Sequence, residues 1–205
     1  MKRELYQQIP RFLTGLAAAS LLVWLMVSRI DGNQAPLILL ASIFLLLFCA
    51  TDTLRTKIPN PLTLTLAVTG AGFQLLVAGP TGLLAAVLGL LTGFILLIGP
   101  YALGGMGGGD VKALAALGAL LGPADIFQVF LYMGLMGGVL AILHYLLETN
   151  LSERAQAWWL ALKTLACTRD PRAIIPTRTE EKLRFPYAAA IAFGFVAFQH
   201  WGSLL

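Results

Sequence analysis

The chain has 205 residues, of which 58% are hydrophobic and 12% are charged, and its formal net charge is +4. A mean hydropathy of +0.81 indicates a membrane protein, and no basic stripe suits a nucleic-acid partner. The two cysteines, Cys49 and Cys167, form no CxxC pair, so neither a disulfide framework nor a structural zinc site is predicted.

Seven apolar segments predict an all-α fold, a polytopic bundle of about seven transmembrane helices in one domain, residues 1–205. The segments cover residues 12–27, 36–51, 61–78, 83–103, 111–121, 126–147 and 185–201. Because a helix needs about 20 residues to cross a hydrocarbon core of about 30 Å, the fifth segment is too short to span alone. One explanation is that the glycine-rich stretch before it lies below the membrane surface.

The distribution of Lys and Arg predicts the orientation of these segments. If the N-terminus is cytoplasmic, the inner connections are residues 1–11, 52–60, 104–112 and 148–184, and they hold every basic residue except Arg29. This asymmetry is the positive-inside pattern of multi-pass membrane proteins. Basic residues before the first segment, with no convincing cleavage site after it, predict a retained signal anchor.

The last inner connection, residues 148–184, contains a second kind of helical pattern. Apolar side chains, including Trp158 and Trp159, recur at helical spacing, and Arg154 and Lys163 occupy the other face. The pattern predicts an amphipathic helix that lies in the membrane interface. An ordinary amphipathic connector explains it equally well.

Asp52 is the first acidic candidate for chemistry. It lies at the C-terminal end of the second segment, where a carboxylate opposes the helix dipole and therefore serves poorly as a cap. A surface ion pair with Arg55 or Lys57 is an equally good interpretation of this residue alone. Pro59 ends any helix there, and Pro61 suits the first turn of the next.

Asp110 is the second candidate, and it follows a stretch with glycine at positions 104, 105, 107, 108 and 109. A carboxylate at membrane depth is costly and favours a functional site, although Asp110 could instead cap the helix that follows. Lys112 is two positions away and would not share its helix face, so we expect Lys112 to reach lipid headgroups or the substrate backbone. The stretch lacks the GxxxxGK[ST] pattern of a phosphate-binding loop.

Two carboxylates held close together can hydrolyse a peptide bond. Because both cannot ionise easily, the pair shares a proton. The ionised member can activate a water, and the protonated member can polarise the scissile carbonyl and help to protonate the leaving nitrogen. The sequence does not assign the two roles. The inner face lacks histidines, so we predict no metal and no cofactor.

Asp52 with Ile58-Pro59-Asn60, and Gly107-Gly108-Gly109-Asp110-Val111-Lys112, resemble the two motifs of the type IV prepilin peptidase family of GxGD-type membrane aspartic proteases. The two motifs occur in the family's order and on one predicted face of the membrane. The late segment Phe185-Pro186-Tyr187-Ala188 also looks like a family feature.

The resemblance implies a protease of the bacterial cytoplasmic (inner) membrane that cuts the leader from a prepilin or pseudopilin. The cut follows a Gly at the cytoplasmic border and precedes the hydrophobic helix of the substrate. By motif match, Asp52 and Asp110 are the expected catalytic residues. The residues expected to bind the substrate or support the loops are Gly107, Gly108, Gly109, Lys112, Pro59 and Asn60.

One feature of the longer relatives is missing. Their cytoplasmic domain carries paired CxxC motifs and N-methylates the new terminus, and this sequence has no such motifs. We therefore do not expect methylation, and the short form resembles the stand-alone peptidases of tight-adherence pilus systems.

Two alternatives stay open at this point. Another GxGD protease that cuts inside the membrane would place its first Asp in mid-span beside a Tyr, whereas Asp52 lies at a span end beside Thr51. A small ion- or proton-coupled transporter would place acidic groups near the bilayer midplane or show inverted repeats, and neither is evident. Small-residue spacings at Gly89/Gly93 and Gly134/Gly138 predict close helix packing in any of these cases.

Overall fold

The computed structural model describes residues 2–28, 34–55, 57–147 and 187–204, and all regular structure within those ranges is α-helical. The prediction of an all-α fold is therefore confirmed. The described helices are α1 (Lys2–Ser28), α2 (Ala35–Arg55), α3 (Asn60–Ala102), α4 (Gly108–Leu121), α5 (Pro123–Leu147) and α6 (Tyr187–Trp201). The amphipathic helix predicted within residues 148–184 lies outside the described residues.

The chain divides into two compact units. One is formed by Met1–Gly138 with Phe185–Leu205, and the other by Val139–Arg184. The first unit holds α1 to α4, most of α5, and α6. Of the second unit, the structure describes the end of α5, residues 139–147. The expectation of one domain over residues 1–205 stays a prediction.

Three described helices are long and apolar enough to cross a membrane: Ala35–Arg55, Asn60–Ala102 and the Pro123–Leu140 part of α5. Phe12–Ser28 is apolar but shorter. Large apolar side chains remain exposed on these helices, as expected for surfaces that face lipid; examples are Leu64, Val68, Leu76, Leu84, Ile95 and Leu135. The count of seven spans stays a prediction.

Gly79 divides α3 into two halves that turn back on each other. Its backbone angles (φ 63°, ψ −146°) are non-helical and lie in a region that glycine adopts readily. Pro80 follows and suits the first turn of the second half. A Cβ on Gly82 would meet the carbonyl oxygen of Gln74, which shows that the chain reverses here. The predicted segments 61–78 and 83–103 are these two halves.

Helix α4 is the centre of the first unit. Every residue from Val111 to Leu121 is buried except Lys112, and a helix that is apolar all round belongs inside a bundle. Both halves of α3 pack on it, α2 and α6 contact it, and Gln74 Nε2 donates a hydrogen bond of 2.8 Å to the Leu120 carbonyl. The fifth predicted segment corresponds to this helix. It is surrounded mainly by protein, so it does not need the length of a helix that crosses lipid alone.

Glycine allows the closest helix contacts on α4. A Cβ on Gly89 would meet the backbone of Gly118, and one on Gly93 would lie 2.7 Å from a carbonyl oxygen of α4. Both contacts leave no room for a side chain, so the predicted close packing at Gly89/Gly93 is confirmed. A Cβ on Gly134 or Gly138 would have no described atom within 4 Å. Among the described residues, this second pair is therefore not at a close helix contact.

Candidate active site

Asp110 lies in the first turn of α4, at its third position. Gly107 precedes the helix in an extended conformation (φ −84°, ψ 150°), and its N–H donates a hydrogen bond of 3.2 Å to Asp110 Oδ2. Asp110 is therefore not the N-cap residue; it reaches back from the third position, as the acidic residue of a capping box does. Because this bond closes the first turn, the helix starts at Gly108 and the predicted inner connection 104–112 is shortened to 103–107.

The connection between α3 and α4 is held by the end of α3. Gly104 has a positive φ of 74°, which favours glycine over residues with a Cβ. Its N–H donates to the Tyr101 carbonyl over 2.8 Å, and the Gly105 N–H donates to the Pro100 carbonyl over 3.0 Å. These bonds fix the path of the chain into the turn that carries Asp110.

Asp52 lies in the last turn of α2, as predicted, and its side chain is half-buried. Its negative charge acts on the carboxyl of Asp110, so the fold brings together the two aspartates that the sequence separates by a long hairpin. The segment that follows Asp52 lies against the start of α4: a Cβ on Gly109 would lie 3.3 Å from Ile58 Cβ.

The protonation of Asp110 is shifted by its surroundings. Asp110 precedes the apolar stretch 111–121 and is only 8% exposed. Burial, and then the charge of Asp52, raise the pKa of Asp110 from 3.8 to about 7, against the opposing effect of hydrogen bonds from backbone N–H groups at Gly107 and Asp110 itself. Near neutral pH this carboxyl can therefore hold a proton.

Lys112 joins the two motifs. Its Nζ donates a hydrogen bond of 2.9 Å to Asn60 Oδ1. The expectation that Lys112 reaches lipid headgroups or the substrate stays a prediction. Asn60 is the first residue of α3, and Pro59 before it is the N-cap, in an extended conformation. Lys112 and Asn60 thus connect the start of α3 to the start of α4.

The sequence assigned no role to three residues that lie around the pair. Ile58 is buried, at 7% exposed, and packs where Gly109 has no side chain. The Tyr101 ring lies beside Gly108, 3.5 Å from the position of a Cβ there. Tyr187 Oη donates a hydrogen bond of 2.7 Å to the Gly105 carbonyl. The only sequence signal for Tyr187 was its place in the late Phe-Pro-Tyr-Ala segment.

Within the part of the chain that the structure describes, no group of three or more His, Cys, Asp or Glu side chains is placed to hold a metal ion. At this point the fold brings together two carboxylates, one of them buried beside glycine backbone. Such a pair suits the activation of a water next to a group that can donate a proton.

A model of the type IV leader peptidase family matches residues 39–142, a range that contains both aspartates. The chain belongs to the type IV leader peptidase family. Two curated proteins of Aeromonas salmonicida, one of them from strain A449, are similar to it, and both are named prepilin leader peptidase/N-methyltransferase.

Each of these relatives is 34% identical to this leader peptidase family member over an alignment 146 positions long. The match covers 64% of this chain and 49% of the relative. The chain thus spans about half the length of the curated relatives it matches. No solved structure gives a significant match.

Proposed function

We propose that this family member is an aspartic endopeptidase that removes the leader from a prepilin or pseudopilin. Cleavage follows a Gly at the cytoplasmic face of the membrane and precedes the hydrophobic helix of the substrate. The observation that carries the proposal is the placement of Asp52 where its charge acts on the buried carboxyl of Asp110. The family of the chain and the peptidase named in its relatives support the same activity, and methylation is not part of the proposal.

In the proposed mechanism the two aspartates divide the acid and base roles. Asp110 is buried and has the raised pKa, so it is the protonated member and donates a hydrogen bond to the scissile carbonyl oxygen. Asp52 is the ionised member and takes a proton from the attacking water while the water oxygen bonds to the carbonyl carbon. The resulting tetrahedral intermediate breaks its C–N bond, and the proton held by Asp52 passes to the leaving nitrogen.

The balance of this reaction is one water consumed per peptide bond. Its products are a leader that ends in a carboxylate and a pilin with a new amino terminus. Residues 107–109, just before Asp110, are all glycine. Because they have no side chains, an extended substrate segment can approach their backbone closely. Neither metal nor cofactor has a step in this mechanism.

The proposed location is the bacterial cytoplasmic membrane, with the N-terminus and both aspartates on the cytoplasmic side. The long apolar helices and the placement of Lys and Arg in the sequence support it. A membrane-impermeant thiol reagent checks the orientation in a variant whose two native cysteines are replaced by Ala. In that background Lys57→Cys should be modified in inside-out vesicles and protected in right-side-out vesicles.

A transporter and another intramembrane protease were the alternatives. Membership of the leader peptidase family favours hydrolysis over transport. Asp52 lies in the last turn of α2, and this position favours cleavage at the membrane border over cleavage in mid-span.

Leader cleavage in cells tests the proposed activity. A prepilin is co-expressed with the wild type, with Asp52→Asn, with Asp110→Asn and with Asp125→Asn as the matched control, since Asp125 follows the far end of α4. The wild type and the control should shorten the pilin, and the two other variants should not, at equal membrane abundance. If Asp52→Asn or Asp110→Asn cleaves at the normal rate, that aspartate is not catalytic. If the wild type cleaves no prepilin, the proposed peptidase activity is wrong.

A further inference from the structure

Tyr187 is the first residue of α6, and its hydroxyl donates a hydrogen bond of 2.7 Å to the carbonyl of Gly105. Gly105 belongs to the connection 103–107 that leads into the turn of Asp110. The bond therefore links the last described helix of the chain to the connection between α3 and α4, over a sequence separation of 82 residues.

The same connection is also hydrogen-bonded to the end of α3. The Gly105 N–H donates to the Pro100 carbonyl over 3.0 Å, so Gly105 has a bond to α3 through its N–H and a bond to α6 through its oxygen. Two residues later, the Gly107 N–H donates to Asp110 Oδ2. Because only Met106 separates Gly105 from Gly107, the position of Gly105 constrains that of Gly107, whose N–H bonds the Asp110 carboxylate.

Tyr187 is also electrostatically close to the site. The negative charge of Asp110 acts on its phenol, although no bond between the two side chains is needed for that. The Tyr187 side chain is only partly buried, and Tyr187 packs against the apolar core together with Met106 of the connection. The ring contributes to packing, and the hydroxyl contributes the bond to Gly105.

From these contacts we propose that Tyr187 is a positioning residue: its hydroxyl holds the 103–107 connection so that Gly107 presents its N–H to Asp110. The inference rests on the proposed peptidase function for its effect on catalysis, but its effect on Asp110 does not depend on that function.

Tyr187→Phe isolates the hydroxyl because it keeps the ring. Tyr132→Phe is a matched control, since Tyr132 Oη also donates to a glycine carbonyl, that of Gly202, over 3.1 Å. Gly202 follows the end of α6, whereas Tyr187 begins it, so the control bond lies at the other end of the helix. Both variants lose one Tyr–Gly hydrogen bond, and only one of them should affect Asp110.

The first measurement is labelling of the full chain in membranes with a hydrophobic carbodiimide, which modifies protonated carboxyls, followed by mass spectrometry of the Asp110 peptide. The pH at which labelling of Asp110 is half-maximal should move to higher pH in Tyr187→Phe, because a displaced Gly107 N–H stabilises the carboxylate less. Tyr132→Phe should leave that pH unchanged. Equal values for the wild type and Tyr187→Phe would overturn the inference, whether or not the protein cleaves prepilin.

The second measurement is the rate of leader cleavage by purified protein in detergent. Loss of one hydrogen bond should lower kcat about two- to tenfold in Tyr187→Phe with little change in KM, and Tyr132→Phe should stay within about twofold of the wild type. A normal kcat in Tyr187→Phe would also overturn the inference. Absence of cleavage by the wild type would count against the proposed function and leave the labelling result to decide on Tyr187.

Discussion

Lys112 Nζ and Asn60 Oδ1 lie 2.9 Å apart, and their hydrogen bond joins the start of α3 to the start of α4. Asn60 begins α3, eight residues after Asp52, and Lys112 lies two residues after Asp110. The bond therefore links the segment that follows Asp52 to the first turns of α4, where Asp110 lies. Lys112 therefore has a hydrogen-bond partner within the protein, and its expected role in binding substrate or supporting the loops stays a prediction.

A double-mutant cycle tests this role of Lys112. Lys112→Met and Asn60→Ala should each lower the rate of leader cleavage about two- to fivefold, as expected for one exposed hydrogen bond. The double variant should lose little more than either single variant, because both remove the same bond. The control is Lys57→Met, which removes another exposed basic side chain, from the segment between α2 and α3. Fully additive losses would show that Lys112 acts apart from Asn60.

The charge of Asp52 predicts the behaviour of Asp110 in a variant. In Asp52→Asn the carboxyl of Asp110 loses a negative neighbour but stays buried, so its pKa should fall below about 7 and remain above 3.8. The pH of half-maximal carbodiimide labelling of Asp110 measures this fall in intact membranes. The control Asp125→Asn should not change it. An unchanged value in Asp52→Asn would show that the two carboxyls do not interact.

The same pKa predicts how cleavage depends on pH. A raised pKa means that the folded protein holds the Asp110 proton up to about pH 7 and loses it as the pH rises through that value. Because the proposed mechanism needs that proton, cleavage should decline above about pH 7, and the decline should reverse on return to lower pH. The measurement is the initial rate with a prepilin peptide in detergent. A rate that stays constant well above this pH would contradict the assignment of Asp110 as the acid.

The sequence predicted the helices and the two aspartates because hydrophobic segments, prolines and charges are local signals. Segments 61–78 and 83–103 correspond to the two halves of α3 around Gly79, although the number of spans is still a prediction. The start of α4 was placed too late because glycine has a low helix propensity, and the sequence does not show that Gly107 N–H pairs with Asp110.

The contacts that support the site depend on long-range packing and have no local signal. The bond of Tyr187 to Gly105 joins residues 82 positions apart, and the contact between Ile58 and Gly109 follows from the way α3 and α4 pack. Lys112 was assigned to lipid or substrate because its charge and exposure suggest a solvent-side partner, whereas the fold supplies Asn60. Only the three-dimensional arrangement distinguishes these cases.

Close backbone contact on α4 predicts which glycines are needed for stability. Gly118→Leu would force its side chain into the backbone of Gly89 and should destabilise the folded protein by about 1–3 kcal/mol or more. Gly134→Leu places the same side chain on α5 where no described atom lies within 4 Å of the Cβ. Thermal unfolding in detergent should therefore show a lower Tm for Gly118→Leu and little change for Gly134→Leu. Equal Tm values for the two variants would contradict the packing of α3 on α4.

The glycines before Asp110 should differ in their tolerance of a methyl group. A Cβ at Gly109 would lie 3.3 Å from Ile58 Cβ, which is buried, whereas a Cβ at Gly108 would lie 3.5 Å from the ring of Tyr101 at ordinary contact distance. Gly109→Ala must move the segment that follows Asp52. Gly108→Ala requires no such movement.

We therefore expect Gly109→Ala to lower the rate of leader cleavage about three- to tenfold, a loss of roughly 1 kcal/mol from a displaced contact. Gly108→Ala should stay within about twofold of the wild type. Both changes exchange glycine for alanine in the first turn of α4, so their effects on helix propensity are similar and cancel in the comparison. If Gly108→Ala were the more damaging change, the substrate, and not Ile58, would be what requires glycine before Asp110.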